Sequence, residues 1–162
     1  MAISKQKKEE IVNKLSKAFK SAKSVVFINF RKLTVGNTTE MRRVLKGDGV
    51  SYTVAKKTLT RRVLDEGKYE GAQPELKGEL ALAWGEDSIA PARGIKAFQK
   101  KFPETLKILG GIFEGRYLSG IEMDEIAMIP GLDVLRGKFV NIVNSPIQRM
   151  VVALSEIAKL KN

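Results

Sequence analysis

The sequence of 162 residues contains no histidine and no cysteine. It therefore has no thiolate nucleophile, no imidazole general base, no disulfide and no zinc site built from nitrogen and sulfur ligands. No apolar run approaches the roughly 20 residues that cross a bilayer, and the first eight residues lack the apolar core of a signal peptide. We expect a cytoplasmic protein with no metal site, no cofactor and no membrane partner.

Positive charge, in contrast, is abundant. Twenty-nine Lys and Arg against 18 Asp and Glu give a net charge of +11 and a pI near 9.9. Residues 1–70 carry 17 of these basic and 7 of these acidic residues, whereas residues 71–162 carry 12 and 11. A surplus confined to one half of a chain indicates a binding surface for phosphates. The charge predicts a polyanionic partner, with nucleic acid as the first candidate and an acidic membrane surface as the second.

Helical spacing and strand-forming runs alternate along the chain as far as residue 118. Strands are predicted at 25–30, 50–55 and 80–84. Helix starts are predicted at Ser4, at Thr38 or Thr39, near Leu59, and at Asp87 or Ser88. Around Gly110 and Gly111 the pattern fits either a strand with a bulge or a tight hairpin. The predicted fold class is α/β: a layered domain with a small mixed sheet flanked by helices, followed by a C-terminal amphipathic helix.

Basic residues follow two of the predicted strands. Arg31 and Lys32 come directly after the first, and Lys56, Lys57 and Thr58 come directly after the second. We expect adjacent strands to bring both groups to one end of the sheet. The helix after the second strand adds Arg61 and Arg62, and its N-terminal amides suit phosphate oxygens. The preceding helix adds Arg42 and Arg43.

The C-terminal region shows a second pattern. Helical spacing is predicted from Asp133 to Asn144, and Ser145 with Pro146 predicts the start of a separate terminal helix. Its apolar positions recur at helical spacing: Ile147, Met150, Val151, Leu154, Ile157 and Ala158. This face either covers the protein's own core or enters a groove on a partner. We predict two parts, a domain at 1–132 and a helical segment at 133–162.

The two basic segments resemble signatures of the bacterial ribosomal protein L-ten family. They are Phe30–Val35 and Val54–Leu59. The resemblance extends to Asp87–Phe102, Ile108–Gly115 and Asn144–Pro146. Lys32 stands where the family usually has glycine and Lys57 where it usually has asparagine. A positive φ at position 32 would cost a lysine about 1 kcal/mol, and lysine at position 57 favours phosphate contact over base reading.

The resemblance implies a non-enzymatic component of the large ribosomal subunit at the base of the ribosomal stalk. It implies binding to 23S ribosomal RNA beside ribosomal protein L-eleven, through Arg31, Lys32, Arg42, Arg43, Lys56, Lys57, Thr58, Arg61 and Arg62. The six apolar positions of the terminal helix would anchor dimers of the acidic stalk protein L-seven/L-twelve. Those dimers would recruit translational GTPases, so the protein would act on them indirectly and reside on the ribosome.

Two other functions fit parts of the sequence. A magnesium-dependent RNA-processing enzyme would use carboxylates, and the candidates are Glu122, Asp124, Glu125 and Asp133. Solvated acids on a helix are the simpler explanation of these residues. A free-standing RNA-binding regulator of translation would use the same basic residues as the ribosomal protein. Phe30 and Tyr52 are expected in the core rather than on a surface for base stacking.

Overall fold

A computed structural model describes residues 5–67, 69–103 and 105–161. The chain divides into two compact units, Met1–Ile129 and Pro130–Asn162. Helices and strands alternate in the first unit: α1 (Lys5–Ser21), β1 (Ser24–Phe30), α2 (Val35–Gly47), β2 (Val50–Val54), α3 (Lys57–Glu66), β3 (Leu80–Gly85), α4 (Ala90–Lys101), β4 (Leu106–Phe113), β5 (Arg116–Ser119) and α5 (Gly120–Ala127). The second unit is one helix, α6 (Leu132–Lys161). Within the described ranges, every helix is too short or too polar to span a bilayer.

The five strands form one sheet in the order β2-β3-β1-β4-β5, and every neighbouring pair is antiparallel. The α/β class is therefore confirmed, with the correction that the sheet is antiparallel rather than mixed. Strands that alternate with helices favour parallel neighbours, but here β3 is inserted between β1 and β2, which consequently do not pair. Linear order does not reveal such an insertion.

Helices cover both faces of the sheet. Residues of the central strand alternate between two apolar clusters, so that Val26 and Ile28 contribute to one and Val25 and Phe27 to the other. The first cluster includes buried side chains of α2, α4 and α5, and the second includes those of α1 and α3. The near-continuous apolar run of β1 follows from this burial on both sides.

Two helices begin at residues other than those predicted. Helix α2 starts at Val35, because the Thr34 side chain accepts a hydrogen bond from the Asn37 amide at 3.4 Å. The predicted caps Thr38 and Thr39 lie inside the helix. Helix α4 is capped at Ile89, whose amide donates to Asp87 Oδ1 at 3.1 Å. The predicted cap Ser4 lies outside the described residues.

Residues 106–113 form one bulged strand. Phe27 pairs with Gly110 and Ile28 with Ile108, so Leu109 is the extra residue of a bulge. The alternative of a tight hairpin at Gly110 and Gly111 is wrong, because the chain reverses later, at Glu114 and Gly115. Both of these residues have positive φ, 49° and 85°. The turn leads into β5, which was not predicted as a separate strand.

The last two helices also differ from their predictions. Helix α5 begins at Gly120 rather than Met123, because Ser119 and Glu122 form a capping box. Helix α6 is continuous and contains Pro146, so the predicted helix start at Ser145 is wrong. Proline removes one backbone donor, but the apolar residues on both sides of it keep helical spacing and the helix continues through it.

Candidate nucleic-acid interface

The ends of β1 and β2 meet at one edge of the sheet. Both strands are antiparallel to β3, so they run in the same direction. The prediction that the two strands are adjacent is wrong, because the start of β3 lies between them. The Phe30 amide donates to Glu79 O at 3.4 Å, and the Ala55 amide donates to Leu80 O at 3.2 Å. We call the residues that follow these strands the basic edge: Arg31, Lys32, Lys56, Lys57 and Thr58.

Lys32 lies in the turn between β1 and α2. Its φ is +50°, in the left-handed region that favours glycine. The preceding residue is fixed, because the Arg31 amide donates to Thr105 O at 2.8 Å. Two residues later Thr34 caps α2. The chain therefore keeps at this position the backbone conformation that a glycine would adopt freely, and it exposes a lysine there.

Lys56, Lys57 and Thr58 lie at the start of α3. No side chain caps the first turn of this helix. Its start is held by Thr60, whose hydroxyl and amide both donate to Lys56 O, at 3.2 and 3.0 Å. The first amides of a helix have no acceptor within the helix and carry partial positive charge. The α3 N-terminus thus presents donors and cations together.

Two grooves lie along the basic edge and share Gly78 and Glu79. The first, of about 710 Å³, contacts Lys56, Lys57 and Thr58. The second, of about 630 Å³, is lined by Arg31, Lys32 and Thr105. Gly78, Glu79 and Thr105 did not stand out in the sequence, because their position at the edge depends on how β3 and β4 pair with β1.

The remaining basic candidates lie on the two helical layers. Arg61 and Arg62 are exposed on α3, and Arg62 lines a groove between α1 and α3. Arg42 and Arg43 are exposed on α2, on the opposite face of the sheet. The Arg42 guanidinium lies 5.6 Å from the centre of the Tyr52 ring, beside the middle of β2. The structure therefore does not bring the α2 arginines to the basic edge.

The two aromatic residues in question are half-buried. Phe30 and Tyr52 both pack against the cluster beneath α2, α4 and α5, as expected. Burial raises the pKa of the Tyr52 hydroxyl, and the nearby Arg42 charge opposes that shift. Phe30, at the end of its strand, also lines the larger groove of the basic edge.

The basic candidates form no ion pairs within the described residues. Among the residues that the structure describes, none of the eight basic candidates lies within 4.0 Å of a carboxylate. Seven of the eight are exposed, and Lys57 is half-buried. This surface can bind a polyanion and release its counterions.

Three of the four acidic candidates, Glu122, Asp124 and Asp133, have structural partners instead. The Glu122 carboxylate accepts hydrogen bonds from the Ser119 amide and hydroxyl, at 2.8 and 2.9 Å. The hydrogen bond from the amide lowers the pKa of the Glu122 carboxyl group most. Asp124 pairs with Lys96 at 2.8 Å. Asp133 lies in the other unit and is 3.5 Å from Arg136. In the described part of the chain, no three acidic residues form a group that could hold a metal ion.

Helix α6 carries a second candidate surface. Five of its predicted apolar positions are between 56% and 66% exposed: Ile147, Met150, Val151, Leu154 and Ile157. Ala158 is exposed as well. The first half of the helix exposes Phe139, Val140 and Val143 to a similar degree. Sequence reasoning missed these residues because Pro146 was interpreted as a boundary, although the helical spacing continues across it.

These features define a class of protein: a basic α/β domain with a cationic edge, attached to a helix with an exposed apolar face. The family model described as Ribosomal protein L10 matches residues 3–100. Three relatives carry the name Large ribosomal subunit protein uL10. The one from Gluconobacter oxydans (strain 621H) is 36% identical over 148 residues, which cover 91% of this chain and 80% of the relative.

The other two relatives are each 32% identical. The protein from Staphylococcus carnosus (strain TM300) aligns over 155 residues, 95% of this chain and 93% of the relative. The protein from Shouchella clausii (strain KSM-K16) aligns over 157 residues, 96% and 94%. The chain belongs to the ribosomal protein L10 family. It is a structural ribosomal protein rather than an enzyme, which confirms that prediction.

Proposed function

We propose that the first unit binds 23S ribosomal RNA at the base of the ribosomal stalk, beside ribosomal protein L-eleven. The observation that carries this proposal is the basic edge. Two cationic segments from separate strands lie at one edge of the sheet, without carboxylate partners in the described residues, in a member of a ribosomal family. The relatives' names place those proteins in the large subunit, which supports the same placement here.

The arrangement favours phosphate contact. Arg31, Lys32, Lys56 and Lys57 supply charge at the edge, and Thr58 supplies a hydroxyl donor. Arg61 and Arg62 extend the contact along α3, whereas Arg42 and Arg43 lie on the opposite face of the sheet and would contact only RNA that reaches around it. Folded RNA is recognised largely through the shape of its backbone. The sheet sets the spacing of the backbone positions that carry these cations, and this arrangement suits the backbone of a folded RNA.

The test compares a stalk-base fragment of 23S RNA with an unrelated duplex of equal length. Lys56→Ala combined with Arg61→Ala removes two charges from the proposed site. Lys23→Ala combined with Lys46→Ala removes two charges near the opposite edge of the sheet. We expect the wild type to prefer the fragment, and only the first double variant to lose that preference. Equal binding to both RNAs with one steep salt slope would contradict the proposal.

The second unit is the proposed anchor for dimers of the acidic stalk protein L-seven/L-twelve. Helix α6 is the sole element of its unit, so no other element of that unit covers its apolar face. An amphipathic helix of this kind binds in an apolar groove of a partner. Its six predicted positions, Ile147, Met150, Val151, Leu154, Ile157 and Ala158, would contact the dimers. Those dimers would hold translational GTPases at high local concentration.

Native mass spectrometry of the full chain with the stalk protein tests this anchor. Met150→Gln with Leu154→Gln removes two apolar contacts and retains helix-forming residues. Arg149→Gln with Glu156→Gln is the matched control on the same helix. We expect fewer bound dimers with the first pair and the wild-type number with the second. An unchanged number in both cases would refute the assignment of these positions.

A further inference from the structure

The larger groove of the basic edge has an apolar interior and a cationic rim. Its apolar lining comes from α1, from the ends of β1 and β2, and from the starts of α3 and β3: Ile11, Phe30, Val54, Ala55, Leu59 and Leu80. Lys56, Lys57 and Thr58 contact the same groove. Its volume of about 710 Å³ lies in the range in which proteins bind small organic groups.

The lining is open to solvent on one side. Leu59 and Leu80 are only 5% and 3% exposed, whereas Val54 is 48% exposed. Phe30 and Ile11 are half-buried. The apolar wall of the groove is thus partly open to solvent and lies directly beside Lys56 and Lys57. The groove is therefore a candidate for an apolar group that arrives with a ligand.

Charge complementarity narrows the choice of ligand. A bare phosphate would need the lysines and the α3 amides but not the apolar wall. An apolar peptide would need the wall but not the lysines. A nucleotide needs both, because its base is a flat apolar surface and its phosphate is an anion. Glu79 also lines the groove, and its carboxylate can accept a hydrogen bond from the amino group of a base.

We infer that this groove takes the base of one unstacked nucleotide of the bound RNA, with the adjoining phosphate at the first turn of α3 beside Lys56 and Lys57. The inference rests on the proposed RNA-binding function and makes it more specific. A continuous duplex keeps its bases stacked and paired, so the RNA must present a bulged or loop nucleotide at this edge. Lys57 then contacts a phosphate while the wall beside it contacts a base.

The groove can be filled without changing charge. Ala55→Leu adds side-chain volume inside it, and Ala22→Leu adds the same volume at another half-buried alanine, near the opposite edge. Binding of the full chain to the stalk-base fragment is measured by fluorescence anisotropy at several salt concentrations. We expect Ala55→Leu to weaken binding at least about fivefold. Its salt slope should stay at the wild-type value because no phosphate contact is lost, and Ala22→Leu should bind as the wild type does.

A second pair of variants serves if Ala55→Leu unfolds the domain, which circular dichroism would show. Val54→Ala trims the groove wall, and Val44→Ala trims a valine on α2 of similar exposure, 46% against 48%. A loss of affinity confined to Val54→Ala supports a base in the groove. Equal affinities of these two variants would overturn the inference.

The RNA partner provides an independent measurement. Each unpaired nucleotide of the fragment is replaced in turn by an abasic residue, which keeps the phosphate and removes the base. One replacement should weaken wild-type binding at least about fivefold and cost nothing further in Ala55→Leu, because both changes remove the same contact. If no position shows this coupling, the inference is wrong. If the wild type does not prefer the fragment over a duplex at all, the proposed function itself fails.

Discussion

Lys32 combines a strained backbone with a useful charge, and replacing it by glycine separates the two effects. A left-handed conformation costs a non-glycine residue roughly 1–2 kcal/mol. Glycine removes that cost but gains about 0.4–1 kcal/mol of conformational freedom in the unfolded chain. With φ at +50° in the folded protein, Lys32→Gly should raise the free energy of unfolding by about 0.5–1 kcal/mol.

The same change should weaken RNA binding. A cation that neutralises one phosphate contributes about 0.9 to the slope of log affinity against log salt concentration. Removing Lys32 from the basic edge should lower that slope by about this amount if it contacts one phosphate. The variant is therefore expected to be more stable and yet to bind the stalk-base fragment less tightly at low salt.

Urea unfolding followed by tryptophan fluorescence measures the stability difference. Trp84 is the single tryptophan of the sequence and lies in β3, so it reports on the sheet. Lys32→Ala is the control, because it removes the same charge but keeps a Cβ and hence the strain. It should be about as stable as the wild type and lose the same RNA contact. The reasoning is refuted if the glycine variant is no more stable than the alanine variant.

Three further predictions concern the domain that carries the basic edge. Thr34→Ala should lower the free energy of unfolding by about 1 kcal/mol, because α2 loses its cap. Thr34→Ser should lower it much less, because serine keeps the capping hydroxyl. Urea midpoints that do not distinguish these variants would contradict this role. Gly111→Ala should destabilise the fold by about 1–3 kcal/mol, because a Cβ there meets the Met123 side chain and Val25 O. Gly36→Ala is the control and should be neutral or stabilising, because the space around Gly36 is open. Equal thermal midpoints of the two variants would show that α5 shifts to make room for the added Cβ. The lowered pKa of Glu122 stabilises the fold above the ordinary glutamate pKa, and that contribution is lost as the pH falls through the lower folded-state pKa. Glu122→Gln should therefore lose less stability than the wild type between pH 7 and pH 3, and parallel pH profiles of unfolding would count against the capping box.

Local patterns predicted where the candidate basic residues lie in the secondary structure. The β-branched and aromatic residues of β1 and β2 located the strands, and so located the basic residues that follow them. The sequence around Gly110 and Gly111 fits either a bulged strand or a tight hairpin, because two glycines permit both backbone conformations. The predicted caps of α2 lie four or five residues after Thr34, and those of α4 lie one or two residues before Ile89, because several Thr, Ser and Asp residues compete as caps.

The sequence by itself determined the α/β class, the excess of charge in the first 70 residues and the apolar face of the last helix, because each follows from composition or from periodicity along a single element. Only the tertiary structure decided that β3 lies between β1 and β2, that Gly78 and Glu79 join the two grooves, and that Arg42 lies beside Tyr52 away from the basic edge. These features depend on pairing between residues that are distant in the chain. Strand pairing is selected by the packing of both sheet faces at once, and no local pattern records that choice.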